Sequence, residues 1–156
     1  MAIRNIIKVG DETLRKKSRP VTVFDARLRQ MLDDMTETLK QADGVGLAAP
    51  QIGVLRRVVV VLDDGEYVRL VNPEVIEAHG EQEDVEGCLS IPGKWGITKR
   101  PETVVVRAQD DQGRTFTRKG SGLTARAYCH EIDHLDGVLF TDHVLRMLTP
   151  EELNRK

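Results

Sequence analysis

In LTARAYCHEIDHLDG, residues Leu123 to Gly137, a helix reads from about Leu123 to Asp136, capped by Ser121 or Gly122 at one side and Gly137 at the other. Residues four apart on a helix project within about 40° of one another, so the imidazoles of His130 and His134 can converge on one ion. Glu131 lies about 80° from their mean direction. That places it outside the ligand set but beside it, where a carboxylate can take a proton from metal-bound water. Cys129 points about 120° away from the histidines and is read as a packing residue. A catalytic divalent ion usually takes three protein ligands and keeps one position open. Cys88, in Glu86-Gly87-Cys88-Leu89-Ser90, is the best candidate for the third, because the glycine before it lets backbone approach closely. The ordinary reading, a buried core thiol and two helix histidines, is the weaker one, since HExxH on a capped helix is a specific signal.

Upstream of this helix, Leu28, Met31, Leu32, Met35 and Leu39 recur at helical spacing, with Asp25 as N-cap and Gly44 just past the end. This predicts an N-terminal amphipathic helix. Between the two helices, Arg57 to Leu62, Val68 to Val71 and Thr103 to Arg107 read as β-strands, the first two joined through Asp63-Asp64-Gly65. Short strands and turns without helical crossovers predict antiparallel pairing. Thr149-Pro150-Glu151-Glu152 is a capping-box start with proline at the first helical position, which predicts a short C-terminal helix. The expected fold class is α+β, with antiparallel β-sheets packed around a central helix that bears the HExxH motif.

The chain has 156 residues, near the commonest domain size, and is expected to form a single catalytic domain over 1–156. Its 23 basic and 25 acidic side chains nearly balance, so composition names no polyanionic partner, and there is no nucleic-acid motif. The longest aliphatic run, Val58 to Leu62, is far too short to span a membrane, and the N-terminus lacks the apolar core of a secretory signal. A cytoplasmic protein with two free thiols, Cys88 and Cys129, is the expectation.

Two HExxH protease patterns are left incomplete by what surrounds the motif. In HExxHxxGxxH proteases the last histidine would fall where this chain has Phe140, and a downstream glutamate ligand would have to come from Glu151 or Glu152 in a terminal stub. Gly44-x-Gly46-x-x-Ala49 matches a dinucleotide fingerprint in letters only, because it follows a helix and runs through Pro50 into strand residues.

Three stretches taken together, Gly44-Val45-Gly46-Leu47-Ala48-Ala49-Pro50-Gln51, Glu86-Gly87-Cys88-Leu89-Ser90 and His130-Glu131-Ile132-Asp133-His134-Leu135-Asp136-Gly137, resemble in order and spacing the signature motifs of the peptide deformylases. The resemblance implies an enzyme that removes the formyl group from the N-terminal formyl-methionine of nascent polypeptides and releases formate. It implies an Fe2+ ion held by Cys88, His130 and His134, with Zn2+, Ni2+ or Co2+ as substitutes. Metal-bound water would attack the formyl carbon, with Glu131 as general base and then acid. Also by resemblance, the Gln51 side-chain amide and the Leu89 backbone N–H point at the formyl oxygen, while Glu86 and Arg100 pair to brace the cysteine loop. For Gln51 the other reading is a surface loop glutamine.

The small residues of the Val45-Gly46 backbone suit strand addition by an extended peptide. Leu123 and Ala127, one turn apart, are candidates to line a methionine pocket, with core packing as the other reading. Trp95 reads equally as groove rim or core cover. Asp133 and Asp136 read either as acceptors for the histidine N–H groups or as solvent-facing acids. The implied partners are formyl-methionyl nascent peptides and, transiently, the ribosome. Two departures from the family pattern stand out: Cys129 occupies a position commonly held by glutamine, and the C-terminal helix is short. The rivals to this reading are a small metalloprotease and a zinc-stabilised binding module.

Overall fold

A computed structural model describes residues 2–153. Helix α1 (Ala26–Ala42) starts where expected, the Asp25 carboxylate accepting the Leu28 N–H at 3.0 Å. Its C-terminal turn closes on Asp43, whose φ of 54° takes the left-handed place expected of a glycine. Gly44 serves a different purpose: a Cβ there would stand 3.0 Å from the Leu89 side chain. The buried stripe of Leu28, Met31, Leu32, Met35 and Leu39 faces a β-sheet.

That sheet contains β1 (Gly46–Ala48), β2 (Val58–Asp63), β3 (Glu66–His79), β6 (Thr103–Gln109) and β7 (Thr115–Ser121), in the order β1-β2-β3-β6-β7 and antiparallel throughout. In β2, Val58 and Val60 pack with α1, while Val59 and Val61 pack with Ala125, Tyr128 and Leu135 of α2 (Leu123–Leu135). Both faces of the strand are covered, so it reads as a continuous apolar run without alternation. The HExxH helix thus lies against one face of the sheet and α1 against the other. A second sheet, of β4 (Gln82–Cys88), β5 (Ile91–Arg100) and β8 (Val144–Met147), is ordered β4-β5-β8 and carries Cys88 at the end of its edge strand. The architecture is α+β with antiparallel sheets. Strands β4, β5 and β7 have little of the apolar periodicity that marked the others: QEDVEGC and TFTRKGS are polar, and IPGKWGITKR carries a proline and two glycines; β8, VLRM, is only four residues long.

Residues 2–20 are not a loose tail. The Ile7 and Val9 N–H groups donate to the carbonyls of Gln51 and Ser90, both at 2.8 Å, and the Ser18 N–H donates to that of Leu135 at 2.7 Å. This strap ties together the three segments that carry the motifs. At the other end, α3 (Pro150–Leu153) opens with a reciprocal capping box between Thr149 and Glu152. No described helix is long and apolar enough to cross a membrane.

Gly137, at φ 76°, ends the HExxH helix under the strap, where a Cβ would lie 2.4 Å from the Arg15 carbonyl oxygen. Gly53, at φ 82°, has open space in the same direction. Gly137→Ala should destabilise by at least about 2 kcal/mol and Gly53→Ala by about 1 kcal/mol. Thermal denaturation should therefore show the Gly137 variant melting several degrees lower; equal melting temperatures would contradict the packing argument.

Candidate metal centre

Cys88, His130 and His134 converge. One ligand atom from each lies within 4.8 Å of the others, with Cys88 Sγ 3.4 Å from His134 Nε2 and the two histidine Nε2 atoms 3.2 Å apart. A β-bulge between Gly87 and Cys88 turns the thiol off the strand, and helical spacing presents both imidazoles from the buried side of α2. Three lone-pair donors aimed at one point suit a cation between them, and a thiolate with two imidazoles suits iron or zinc. The residues therefore fit a divalent metal. Burial alone would lower the His130 pKa, but Glu131, Cys88 and Glu86 carry it well above the usual histidine value; burial holds His134 well below it, helped by His130.

His130 Nδ1 meets Glu86 Oε2 at 2.6 Å. The same buried carboxylate accepts from Arg100 Nη2 at 2.7 Å, Arg126 Nη1 at 2.9 Å and Thr98 Oγ1 at 2.7 Å. Burial would raise the Glu86 pKa, yet His130 and Arg100 hold it well below the usual carboxylate range. Of the two aspartates weighed for this role, Asp133 pairs with Arg100 at 2.7 Å and Asp136 with Arg57 at 2.8 Å, and neither bonds His130 or His134. The Nδ1 of His130 points off its own helix toward β4, so a strand residue reaches it and helix neighbours do not. Arg126, Thr98 and Ser90 were missed at the sequence level. For Arg126 a signal existed, because it stands four residues before His130 and so shares its face.

Glu131 is buried, its Oε2 3.9 Å from His130 Nε2, and its Oε1 bonds no protein group among the described residues. Burial pushes its carboxyl up to about 7. Gly46 must be glycine here, because a Cβ would sit 2.5 Å from Glu131 Oε2. Gln51 is 1% exposed, which excludes a surface loop position. Its Oε1 accepts the Ala48 N–H at 2.9 Å, and its Nε2 lies 3.0 Å from Ser90 Oγ and 3.6 Å from Cys88 Sγ.

These groups open into a cleft of about 480 Å³ whose lining includes Val45, Gly46, Leu89, Leu123 and Ala127. Leu123 stands 62% exposed at its mouth and Ala127 is buried beneath it. Trp95 lies over Gly87 on the cleft wall, 43% exposed, and is not part of the core. Cys129 packs against the main core cluster, burial pushing its thiol up to about 11, and takes no part in the ligand cluster. Phe140, at the position of the absent protease ligand, stacks on His130 with ring centroids 6.1 Å apart.

The sequence model of the family described as polypeptide deformylase matches residues 3–149. The chain belongs to that family. A peptide deformylase of Caldicellulosiruptor bescii is 55% identical over 157 residues, spanning 100% of this chain and 94% of the relative. The crystal structure of a peptide deformylase from Legionella pneumophila superimposes with a TM-score of 0.88 at 46% identity, covering 97% of this chain and 89% of that one. That of a class I type b peptide deformylase from Acinetobacter baumannii with Met-Ala-Ser bound gives 0.88 at 32% identity, covering 92% and 99%. As a deformylase, the protein is a hydrolase of a metalloenzyme family, and its Cys88, His130 and His134 cluster is where a metal can sit.

Two guanidiniums hold Glu86, and removing one leaves a buried charge short of partners. Arg126→Ala should cost about 3 kcal/mol of unfolding free energy in a urea titration, against about 1 kcal/mol or less for the partly exposed Arg118, paired with Asp63. Equal losses would mean that burial gives the Glu86 network no special weight.

Proposed function

We propose that this chain, as one catalytic domain, removes the formyl group from the N-terminal formyl-methionine of nascent peptides in the cytoplasm. The reaction adds water across a linear amide to give formate and a free α-amine. The observation that carries this reading is the buried carboxylate of Glu131, lacking a protein partner on Oε1, set beside a Cys-His-His cluster at the floor of a cleft. The Met-Ala-Ser seen in the Acinetobacter baumannii relative is what remains once such a peptide has lost its formyl group.

Cys88, His130 and His134 would hold the ion, Fe2+ by family resemblance and Zn2+, Ni2+ or Co2+ as substitutes. When bound, the ion supplies Lewis-acid polarisation and a lowered water pKa. Glu131, its carboxyl near neutrality, takes the proton from the attacking water and returns it to the leaving amine. Gln51 Nε2 donates to Ser90 Oγ and, at 3.6 Å, to Cys88 Sγ; the hydrogen on the thiol side turns to the formyl oxygen when substrate is bound, beside the Leu89 backbone N–H. One such donor is worth about 2.7–4 kcal/mol in the transition state. Glu86, fixed by Arg100, orients the His130 ring. Strand β1 is a sheet edge, so Val45 and Gly46 can pair with an extended peptide whose methionine enters between Leu123 and Ala127.

Formyl-Met-Ala-Ser, offered to anaerobically purified protein, should yield formate, and the protein should carry iron at about one ion per chain. Glu131→Gln should lower that rate by about 10²–10⁴-fold while the metal content stays unchanged. Cleavage of internal peptide bonds without formate would overturn the activity, and a wild-type rate in the variant would overturn the role of Glu131.

A further inference from the structure

At the far end of α1 from the cleft lies a second groove, of about 780 Å³, lined by Arg4, Arg19, Arg27 and Arg56 together with Val23 and Val54. Arg4 is committed to Asp34. The other three are exposed and make no ion pair or side-chain hydrogen bond among the described residues. Arg15, Arg57, Arg69, Arg100, Arg107, Arg118, Arg126 and Arg146 each pair with an acid, and outside the groove only Arg29 and Arg114 among the described arginines do not. The one carboxylate in the groove lining, Asp25, is taken up in capping the Leu28 N–H. Arg19 and Arg56 moreover face each other across a parallel β-bridge, held by the Arg19 N–H to Leu55 carbonyl bond at 3.0 Å and the Arg57 N–H to Arg19 carbonyl bond at 3.0 Å. Like charges placed opposite one another destabilise unless an anion lies between them.

We propose that this groove binds the phosphate backbone of single-stranded RNA. Its charges come from three separate segments, the strap, the start of α1 and the loop before β2, and so are spread along the groove as a repeating polyanion requires. Guanidinium forks match phosphate oxygens bidentately, and exposed Val23 offers apolar surface to sugars and bases. A concave site fits a strand better than a flat lipid surface. The start of α1 lines the groove, and Ala42, Asp43 and Gly44 at its other end line the cleft; Gly53 of the groove lies two residues beyond Gln51 of the cleft, and the two openings share no lining residue.

Fluorescence anisotropy with a short labelled RNA of mixed sequence tests this on the full-length metal-loaded protein. Wild type should bind with a log–log salt slope near −2, as about 0.7 per neutralised phosphate requires for three contacts. The triple variant Arg19→Ala, Arg27→Ala, Arg56→Ala should bind at least tenfold more weakly. A control removing equal charge elsewhere, Arg107→Ala, Arg114→Ala, Lys119→Ala, should stay within about twofold of wild type. The groove variant should unfold at the wild-type temperature or above, since the Arg19 and Arg56 repulsion is relieved; a drop of many degrees would make the arginines structural and overturn the proposal. So would equal losses in both triple variants, polyglutamate binding as tightly as RNA, or binding to anionic vesicles in place of RNA.

Discussion

Glu86 carries the one charge on which the rest of the site depends. It sits on an edge strand of the smaller sheet, 4% exposed, and it is held ionised by His130 and Arg126 from α2 and by Arg100 and Thr98 from β5. An isolated carboxylate at that depth would be neutral; two guanidiniums and an imidazole make the charged form the stable one. The consequence is mechanical as well as electrostatic. Cys88 lies two residues beyond Glu86 on the same strand, so docking Glu86 onto the HExxH helix brings the thiol to the two imidazoles. A candidate ligand set drawn from two elements remote in sequence is closed by a contact that is itself no part of it.

Space is the second constraint. Glu131 keeps its place because Gly46 has no side chain, and Gly44 leaves room for Leu89 in the same way. The glycines of the first motif therefore bring the edge of the larger sheet against the HExxH helix and against the segment that follows Cys88. The N-terminal strap reinforces this arrangement by hydrogen-bonding the carbonyls of Gln51, Ser90 and Leu135, one from each motif-bearing segment. What looks irregular in residues 2–20 acts as a brace between three segments that share no secondary-structure element.

Charge is distributed by the same logic. Inside, every guanidinium near the cleft is matched to a carboxylate, which fixes side chains around the ligands. At the opposite end of α1 the matching stops, and like charges meet across a backbone bridge. A nearly neutral composition conceals both facts, because net charge sums over positions that folding separates.

Much was legible from residues alone. Helical periodicity and caps located α1 and α2, and four-residue spacing brought His130 and His134 to one face, because a helix is a local structure whose geometry follows from position in the chain. The α+β class followed from strand and turn signals. Strands β4, β5 and β7 were not legible, since their polar and glycine-bearing sequences are held by cross-strand partners and not by their own periodicity, and β8, VLRM, is too short at four residues to show a period. Nor could sequence choose Glu86 over Asp133 and Asp136 as the partner of His130, put Arg126 beside it, or place Trp95 on the cleft wall in preference to the core. Those are contacts between segments far apart in the chain, and only tertiary packing decides which distant side chain fills a given space and which buried charge it must balance.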